Sequence, residues 1–345
     1  MDILTFIQGY LTVQTISKMI ERKQKRRSVV FDTIFSKRTQ TGLPFVRMDE
    51  YIDTIRSVPV VTRGGASLTI GGGSNSIAMI EPMPIRLNRL LTGARMNDLR
   101  TLWGDGGARG QALVTAEIDR MVMKLMETTD KTRDALCAQA ITGKIDYQMQ
   151  ADSGFVRYGV TYGTGTTLSY TVPKKWDASG TTIADILTDA IAVRRKLNEE
   201  GASGEVGFLV SPEVFVAMAN KITPLPDSKR MGATVTANEI NVAGFIFTLC
   251  DGSYDDRDSS GAEVVKQEVA AKKAVAWVKD IPELTYCAVD DLDGNLEAIP
   301  FFSKTVKVDD PSGIRVISES KPFPMVSEKA FLWFEPLTVE VPTGT

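Results

Sequence analysis

Hydrophobic positions recur along this chain in two periods, and the switches between them mark its elements. Between residues 3 and 20, Ile3, Phe6, Ile7, Tyr10, Leu11, Ile16 and Ile20 keep mostly helical spacing. They predict a short amphipathic segment that cannot bury its apolar face alone and needs a partner surface. The most regular stretch runs from 109 to about 143, where Ala112, Ala116, Ile118, Met121, Val122, Leu125, Met126, Leu136 and Ala140 form one stripe. Glu117 and Asp130 fall among its polar positions and Gly143 supplies the stop. At about 1.5 Å per residue this helix reaches on the order of 50 Å, enough to span a domain. A second helix opens at Thr182-Ile183-Ala184-Asp185 and continues to about Glu200, with Gly201 as its terminator.

Elsewhere the pattern is that of strands. Residues 146–180 alternate aromatic and β-branched residues with Gly and Thr. Val206–Val210 is a short, continuously apolar strand, and Ser211-Pro212-Glu213 is a strong helix start. Residues 242–250 predict a further buried strand, 251–261 a polar excursion and 273–279 another strand. At the C-terminal end Phe331, Trp333 and Phe334 predict an apolar strand that pairs within a core begun much earlier in the chain.

Residues 57–84 predict a long hairpin, with short β-branched runs broken by Gly64-Gly65 and Gly71-Gly72-Gly73 at a mobile tip. A phosphate cradle is the competing reading of these glycines. It fails because no Gly-Lys-Ser/Thr follows and Pro82 and Pro84 prevent the helix such a loop requires. Methionines in the long helix could line a cofactor or peptide groove, but methionine filling an irregular core is the commoner use.

Composition narrows the chemistry. The chain has 345 residues, 43% hydrophobic and 24% charged, with a formal net charge of -3. That length favours two compact parts with extended segments, and that charge excludes a strongly basic nucleic-acid binder as a whole-chain reading. There is no histidine, which removes Ser-His-Asp relays, Cys-His pairs and any zinc site that uses imidazole. Cys137, Cys250 and Cys287 are odd in number and widely spaced, so three reduced thiols are expected rather than a disulfide framework. The N-terminal segment lacks the pattern of a signal peptide, and the apolar runs are too short to span a bilayer. A soluble protein made in the cytoplasm is the expectation.

Carboxylates are then the only acids and bases left for catalysis. Asp251, Asp255, Asp256 and Asp258 resemble a calcium loop only loosely, since Gly and Glu fall at the wrong offsets. Asp290, Asp291 and Asp293, followed by Gly294-Asn295, read as a hairpin turn with Asp-Gly supplying left-handed geometry. Solvated turns are favoured over metal sites for both, and nothing fixes two acids at a glycosidase separation. No catalytic, cofactor-binding or metal-binding residues are therefore assigned. The basic run Arg22, Lys23, Lys25, Arg26 and Arg27 is either a solvated turn or a contact to an acidic neighbour, a scaffold or packaged nucleic acid.

Taken in order, Arg63-Gly64-Gly65 in the hairpin, the helix end Ala140 to Lys144, Trp176-Asp177 before the second helix, the strand leading to Ser211-Pro212-Glu213, and the apolar closing strand resemble the major capsid proteins of tailed bacteriophages, specifically the lambda-like capsid E family. The resemblance implies an α+β fold of the Hong Kong 97 type. Its parts would be an N-terminal arm and lead-in segment (1–45), an extended loop (57–84), a peripheral domain with the spine helix (85–180 plus 316–345) and an axial domain (181–315). It implies a self-assembling head protein, present as hexamers and pentamers in an icosahedral shell around double-stranded DNA. It also implies portal and scaffolding partners and assembly in the host cytoplasm, with a decoration protein of the lambda kind as an option for which the sequence shows no site.

On that reading Val60, Val61, Arg63, Leu68, Ile70, Ile77, Met79 and Ile80 are subunit contacts, because a projecting hairpin can hide its apolar side chains only on a neighbour. Gly64, Gly65, Gly71, Gly72 and Gly73 would be hinges, and Arg22, Lys23, Lys25, Arg26 and Arg27 the basic contacts of the arm. One relative welds its shell through a lysine on this loop; residues 57–84 here contain no lysine, so no such crosslink is expected. The rival readings are a bacterial nanocompartment shell of the same fold with enzyme cargo, and a hydrolase using carboxylates at 251–258 or 290–297.

Overall fold

Helix Ala108–Ala140, 33 residues long, organises the protein by burying its two halves in different cores. The computed structural model describes residues 9–10, 28–48, 78–104, 108–151, 154–226, 230–258 and 261–338. Toward the N-terminal end of the helix, Val114, Ile118, Val122 and Leu125 pack with Leu91, Leu99, Phe301, Ile314 and Val316. Toward its C-terminal end, Leu136, Cys137 and Ala140 enter a second, larger core. The helix stops at Ala140, and 141–143 form a turn closed by Gly143 N–H on the Ala140 carbonyl (2.9 Å), with Gly143 at φ +90°. Only glycine takes that left-handed backbone cheaply, which makes it the terminator the spacing predicts.

The smaller core lies under a three-stranded antiparallel sheet, with Gly313–Ser320 in the middle flanked by Phe302–Val308 and Ile85–Thr92. Tyr10 rests against this core and donates its hydroxyl to Asp119 Oδ1 (2.9 Å) on the long helix. The amphipathic N-terminal stretch thus meets the same chain at this residue; its other positions lie outside the described residues.

The larger core surrounds a seven-stranded mixed sheet. Its spatial order is Leu168–Tyr170, Phe331–Phe334, Ala274–Val278, Val206–Val210, Phe245–Leu249, Glu239–Val242 and Thr234–Val235. Val206–Val210 and Ala274–Val278 sit side by side with every residue buried, as continuous apolar runs require of strands covered on both faces. Gly207 is paired with Trp277, and a Cβ there would lie 2.5 Å from the indole. Helices Ile183–Glu199 and Pro212–Ile222 supply Ile186, Ala190, Val193, Val214 and Met218 to the same core. The first begins with a capping box, in which Thr182 N–H donates to Asp185 Oδ2 (2.8 Å) and Asp185 N–H to Thr182 Oγ1 (3.4 Å).

Several boundaries differ from expectation. The lead-in segment is not separate from the body. Ser28 caps helix Val29–Thr33, and Lys37–Thr41 pairs in parallel with Glu283–Cys287, itself paired with Pro322–Met325. Most of the segment expected as an extended loop lies outside the described residues; at its end Ala78–Ile80 pairs with Val46–Met48. The expected domain boundary at 315/316 cuts strand Gly313–Ser320. Moreover, Phe331–Phe334 lies between Leu168–Tyr170, expected in the peripheral part, and Ala274–Val278, expected in the axial part, so one sheet draws on both.

The stretch 242–250 is not one buried strand. Glu239–Val242 and Phe245–Leu249 form a hairpin that turns through Ala243 and Gly244 at φ +49° and +93°. Nor is 251–261 a featureless excursion, because Ser253–Arg257 pairs with Glu263–Gln267. No helix among the described residues is long and apolar enough to cross a membrane.

Candidate assembly interface

Strand alternation separates the two loop-foot residues proposed as contacts. Met79, opposite Arg47, is 60% exposed, whereas Ile80, opposite Val46, is partly buried against the chain's own core. Met79 is therefore available to a neighbour, and Ile80 is corrected to an internal packing residue, since successive strand residues point to opposite faces. Val60, Val61, Arg63, Leu68, Ile70 and Ile77, the hinges Gly64, Gly65, Gly71, Gly72 and Gly73, and the basic run Arg22, Lys23, Lys25, Arg26 and Arg27 lie outside the described residues.

Each acidic cluster contains a buried carboxylate that serves as a counter-ion. The Asp256 side chain is fully buried and accepts from Lys266 Nζ (2.6 Å), Arg257 N–H (2.8 Å) and Arg157 (3.1 Å). Burial alone would raise its pKa, but these donors, Lys266 foremost, hold the carboxyl below the usual range. Arg157 also grips Asp146 on its own hairpin (2.7 Å). Hairpin 144–161 is thereby clamped to hairpin 253–267, and the solvated-turn reading fails at Asp256.

Asp291 behaves similarly. Burial pushes it up, but Lys304 Nζ (2.8 Å) and the Asp293 N–H (3.0 Å) bring it below the usual range. Lys304 bonds Asp293 too (2.9 Å). The turn itself is a 3-10 segment, Leu292–Gly294, whose left-handed residues are Asn295 and Leu296 at φ +53° and +54°. Asp-Gly does not supply the left-handed geometry as expected, because the preceding 3-10 turn takes up Gly294 and moves the reversal to the next two residues. Asp256 and Asp291 are each committed to bases within the chain. Among the described residues no three potential metal ligands gather, and Cys137, Cys250 and Cys287 are all free and buried.

Trp176-Asp177 proves to be a latch on the C-terminal segment. Fully buried Trp176 packs edge-on to Phe247 and Phe334, donates its indole N–H to Asp189 Oδ2 (2.8 Å) and its backbone N–H to the Pro336 carbonyl (2.8 Å). Asp177 accepts from the backbone N–H (3.0 Å) and hydroxyl (3.1 Å) of Thr338.

Two exposed apolar features escaped the sequence reading. Leu292 and Leu296, 83% and 52% exposed, stand on the acidic turn; the run of acids around them hid their role. On the outer face of helix Pro212–Ile222, Pro212, Glu213, Val216, Ala217 and Asn220 line an open groove of about 490 Å³. The spacing 213, 216, 217, 220 marks one helical face, a signal that was present but weak because its residues are small or mixed.

The sheets flanking one long helix, with Val46–Met48 paired to Ala78–Ile80, agree with a chain-long match: residues 12–333 fit the phage major capsid protein E family. The chain belongs to that family. The capsid protein assigned to a prophage of E. coli CFT073 shares 15% identity with it, with 95% of this chain and 99% of that one covered and a TM-score of 0.58. A mature capsid chain of bacteriophage PhiM1 is similar at 11% identity, with coverages of 93% and 90% and a TM-score of 0.49. A virus-like particle from Pyrococcus furiosus gives 11%, 93%, 96% and 0.46. A comparison with curated proteins finds no match. The fold is α+β of the Hong Kong 97 type, and this phage major capsid protein E member is a structural subunit of a viral capsid shell.

Proposed function

We propose that this capsid E protein is the major head subunit of a tailed phage or prophage, closing as hexamers and pentamers into an icosahedral shell around double-stranded DNA. The observation that carries the reading is the family match across 12–333. The three-stranded sheet with the first half of the spine helix serves as the peripheral part, and the seven-stranded sheet as the axial part. The extended loop rises from the foot at 46–48 and 78–80, with Met79 and its apolar residues seated on a neighbour and its glycines flexing between five- and six-fold positions. The basic run 22–27 meets an acidic neighbour, scaffold or genome. Portal, scaffolding and decoration proteins complete the particle, which assembles in the host cytoplasm. The subunit does no turnover; its strength is buried area and ion pairs. Negative-stain microscopy of the purified chain, alone and with neighbouring gene products, tests this. Closed shells, rings or tubes are expected, and dispersed monomers under all these conditions refute it. Nucleic acid inside the shells, rather than protein cargo, separates a phage head from a nanocompartment.

A further inference from the structure

The three-stranded sheet has a core face and an outer face, and the outer face carries an unmatched guanidinium. Ile314 and Val316 turn into the smaller core, so Arg315 between them points the opposite way, as alternation along a strand requires. It stands in the middle strand, opposite Leu90 on one side and Val306 on the other. Among the described residues it makes no ion pair or hydrogen bond, and its Nε is buried with no acceptor. Two other bases of this face are matched. Arg86 reaches Glu319 (3.4 Å), and Lys304 holds Asp291 (2.8 Å) and Asp293 (2.9 Å). Glu319 also accepts the Asp290 N–H (2.9 Å), so these acids are spent on partners other than Arg315. A buried N–H on a charged group that lacks an acceptor is costly and calls for one from outside the chain. The need is specific, because Nε and the adjoining Nη offer two parallel N–H groups, the fork that a carboxylate fits.

We infer that this outer face is a contact between copies of the chain, in which Arg315 receives a carboxylate of the neighbouring copy. The inference rests on the shell reading above, under which the commonest neighbour of a subunit is another copy of itself. Each copy brings 43 acids against 40 bases, so carboxylates are left over for a base that its own chain does not match. The flanks of Arg315 point to protein rather than to nucleic acid. Leu90, Ile317 and Val306, the last 40% exposed, surround the guanidinium with apolar surface. Phosphate is held chiefly by charge in water and gains little from apolar neighbours, whereas an arginine ringed by apolar groups that exclude water is the arrangement at the energetic centre of protein contacts.

Arg315→Met separates this role from a structural one, because the two readouts move in opposite directions. Methionine keeps the apolar stem and removes the unmet donor. Urea unfolding of the unassembled variant should therefore show stability equal to or above wild type. Its assembled fraction, read by sedimentation at matched concentration with whatever gene products wild type requires, should fall at least about tenfold. Arg315→Lys keeps the charge but loses the fork, and should assemble at least about threefold less than wild type. With Val306 replaced by the photo-crosslinker p-benzoylphenylalanine, irradiated particles should yield two copies of this chain joined through a peptide that contains Asp or Glu. Arg315→Met that assembles as wild type does, an unassembled variant less stable than wild type, or crosslinks that reach only DNA or another gene product overturn the contact and leave the shell reading standing. Wild type that stays monomeric with all partners overturns both.

Discussion

Replacing Asp189 by alanine strands two hydrogen-bond donors at once. Its carboxylate, 5% exposed, accepts from Trp176 Nε1 (2.8 Å) and the Tyr170 hydroxyl (2.9 Å). Trp176 is fully buried, so its orphaned N–H has no route to water and costs about 1–3 kcal/mol. Tyr170 is half-buried and its hydroxyl can turn to solvent, which limits that loss to about 1 kcal/mol. Asp189→Ala should therefore cost about 2–4 kcal/mol, a melting shift on the order of 5–10 °C for a unit of this size. Asp189→Asn, which keeps one acceptor, should cost about half as much.

The decisive step is a double-mutant cycle with Trp176→Phe. Removing both partners of a buried bond is far cheaper than removing one, so a coupling of about 1–3 kcal/mol is expected. Urea unfolding of unassembled protein followed by circular dichroism measures it. Burial, and next the Asp189 bond, push the Tyr170 pKa up to about 12, and Asp189→Ala should lower it in a spectroscopic titration. A cost below about 0.5 kcal/mol for Asp189→Ala, or strict additivity in the cycle, would refute the reasoning.

Three further expectations follow from particular contacts. Asp256 and Asp291 are both held below the ordinary carboxylate range despite burial. Their stabilisation is complete above the unfolded carboxyl value of about 4 and is lost as pH falls through the lower folded values. Hydrogen exchange at hairpins 144–161 and 253–267 should therefore quicken only below about pH 4, and Asp256→Asn should flatten that response; loosening between pH 5 and 7 would count against it. Gly207→Ala places a Cβ 2.5 Å from the Trp277 ring inside a buried strand pair, and overpacking of this kind should cost about 1–3 kcal/mol with altered near-ultraviolet dichroism. Cys137, Cys250 and Cys287 should ignore a thiol reagent in the native protein and react together in guanidinium. Burial keeps all three thiols protonated, with Cys287 pushed up to about 11; fast native labelling at any one would contradict that burial.

Features set by near neighbours in sequence were legible from the residues alone. The long helix, its glycine stop, the Thr182–Asp185 capping box and the apolar runs at 206–210 and 274–278 all rest on local periodicity or local hydrogen bonds. What stayed hidden depends on pairing across distance. Nothing near Phe331–Phe334 says that its neighbours are Leu168–Tyr170 and Ala274–Val278. Likewise, Asp256 looks like one acid among four until Arg157 and Lys266 are brought to it. The exposed Leu292, Leu296 and Val216 were missed because exposure of leucine and valine is a property of the folded surface, which helical spacing at 213, 216, 217 and 220 signals only weakly.

The position of the last strand also sets the order of events during synthesis. Leu168 lies beside Leu332 in the sheet, and among the described residues the strand at 168–170 has no other neighbour there. While the ribosome is still making the intervening chain, that edge stays open and Trp176 and Asp177 have no C-terminal segment to hold. A chain that lacks Phe331–Phe334 therefore leaves the seven-stranded sheet split, with Leu168–Tyr170 cut off from Ala274–Val278.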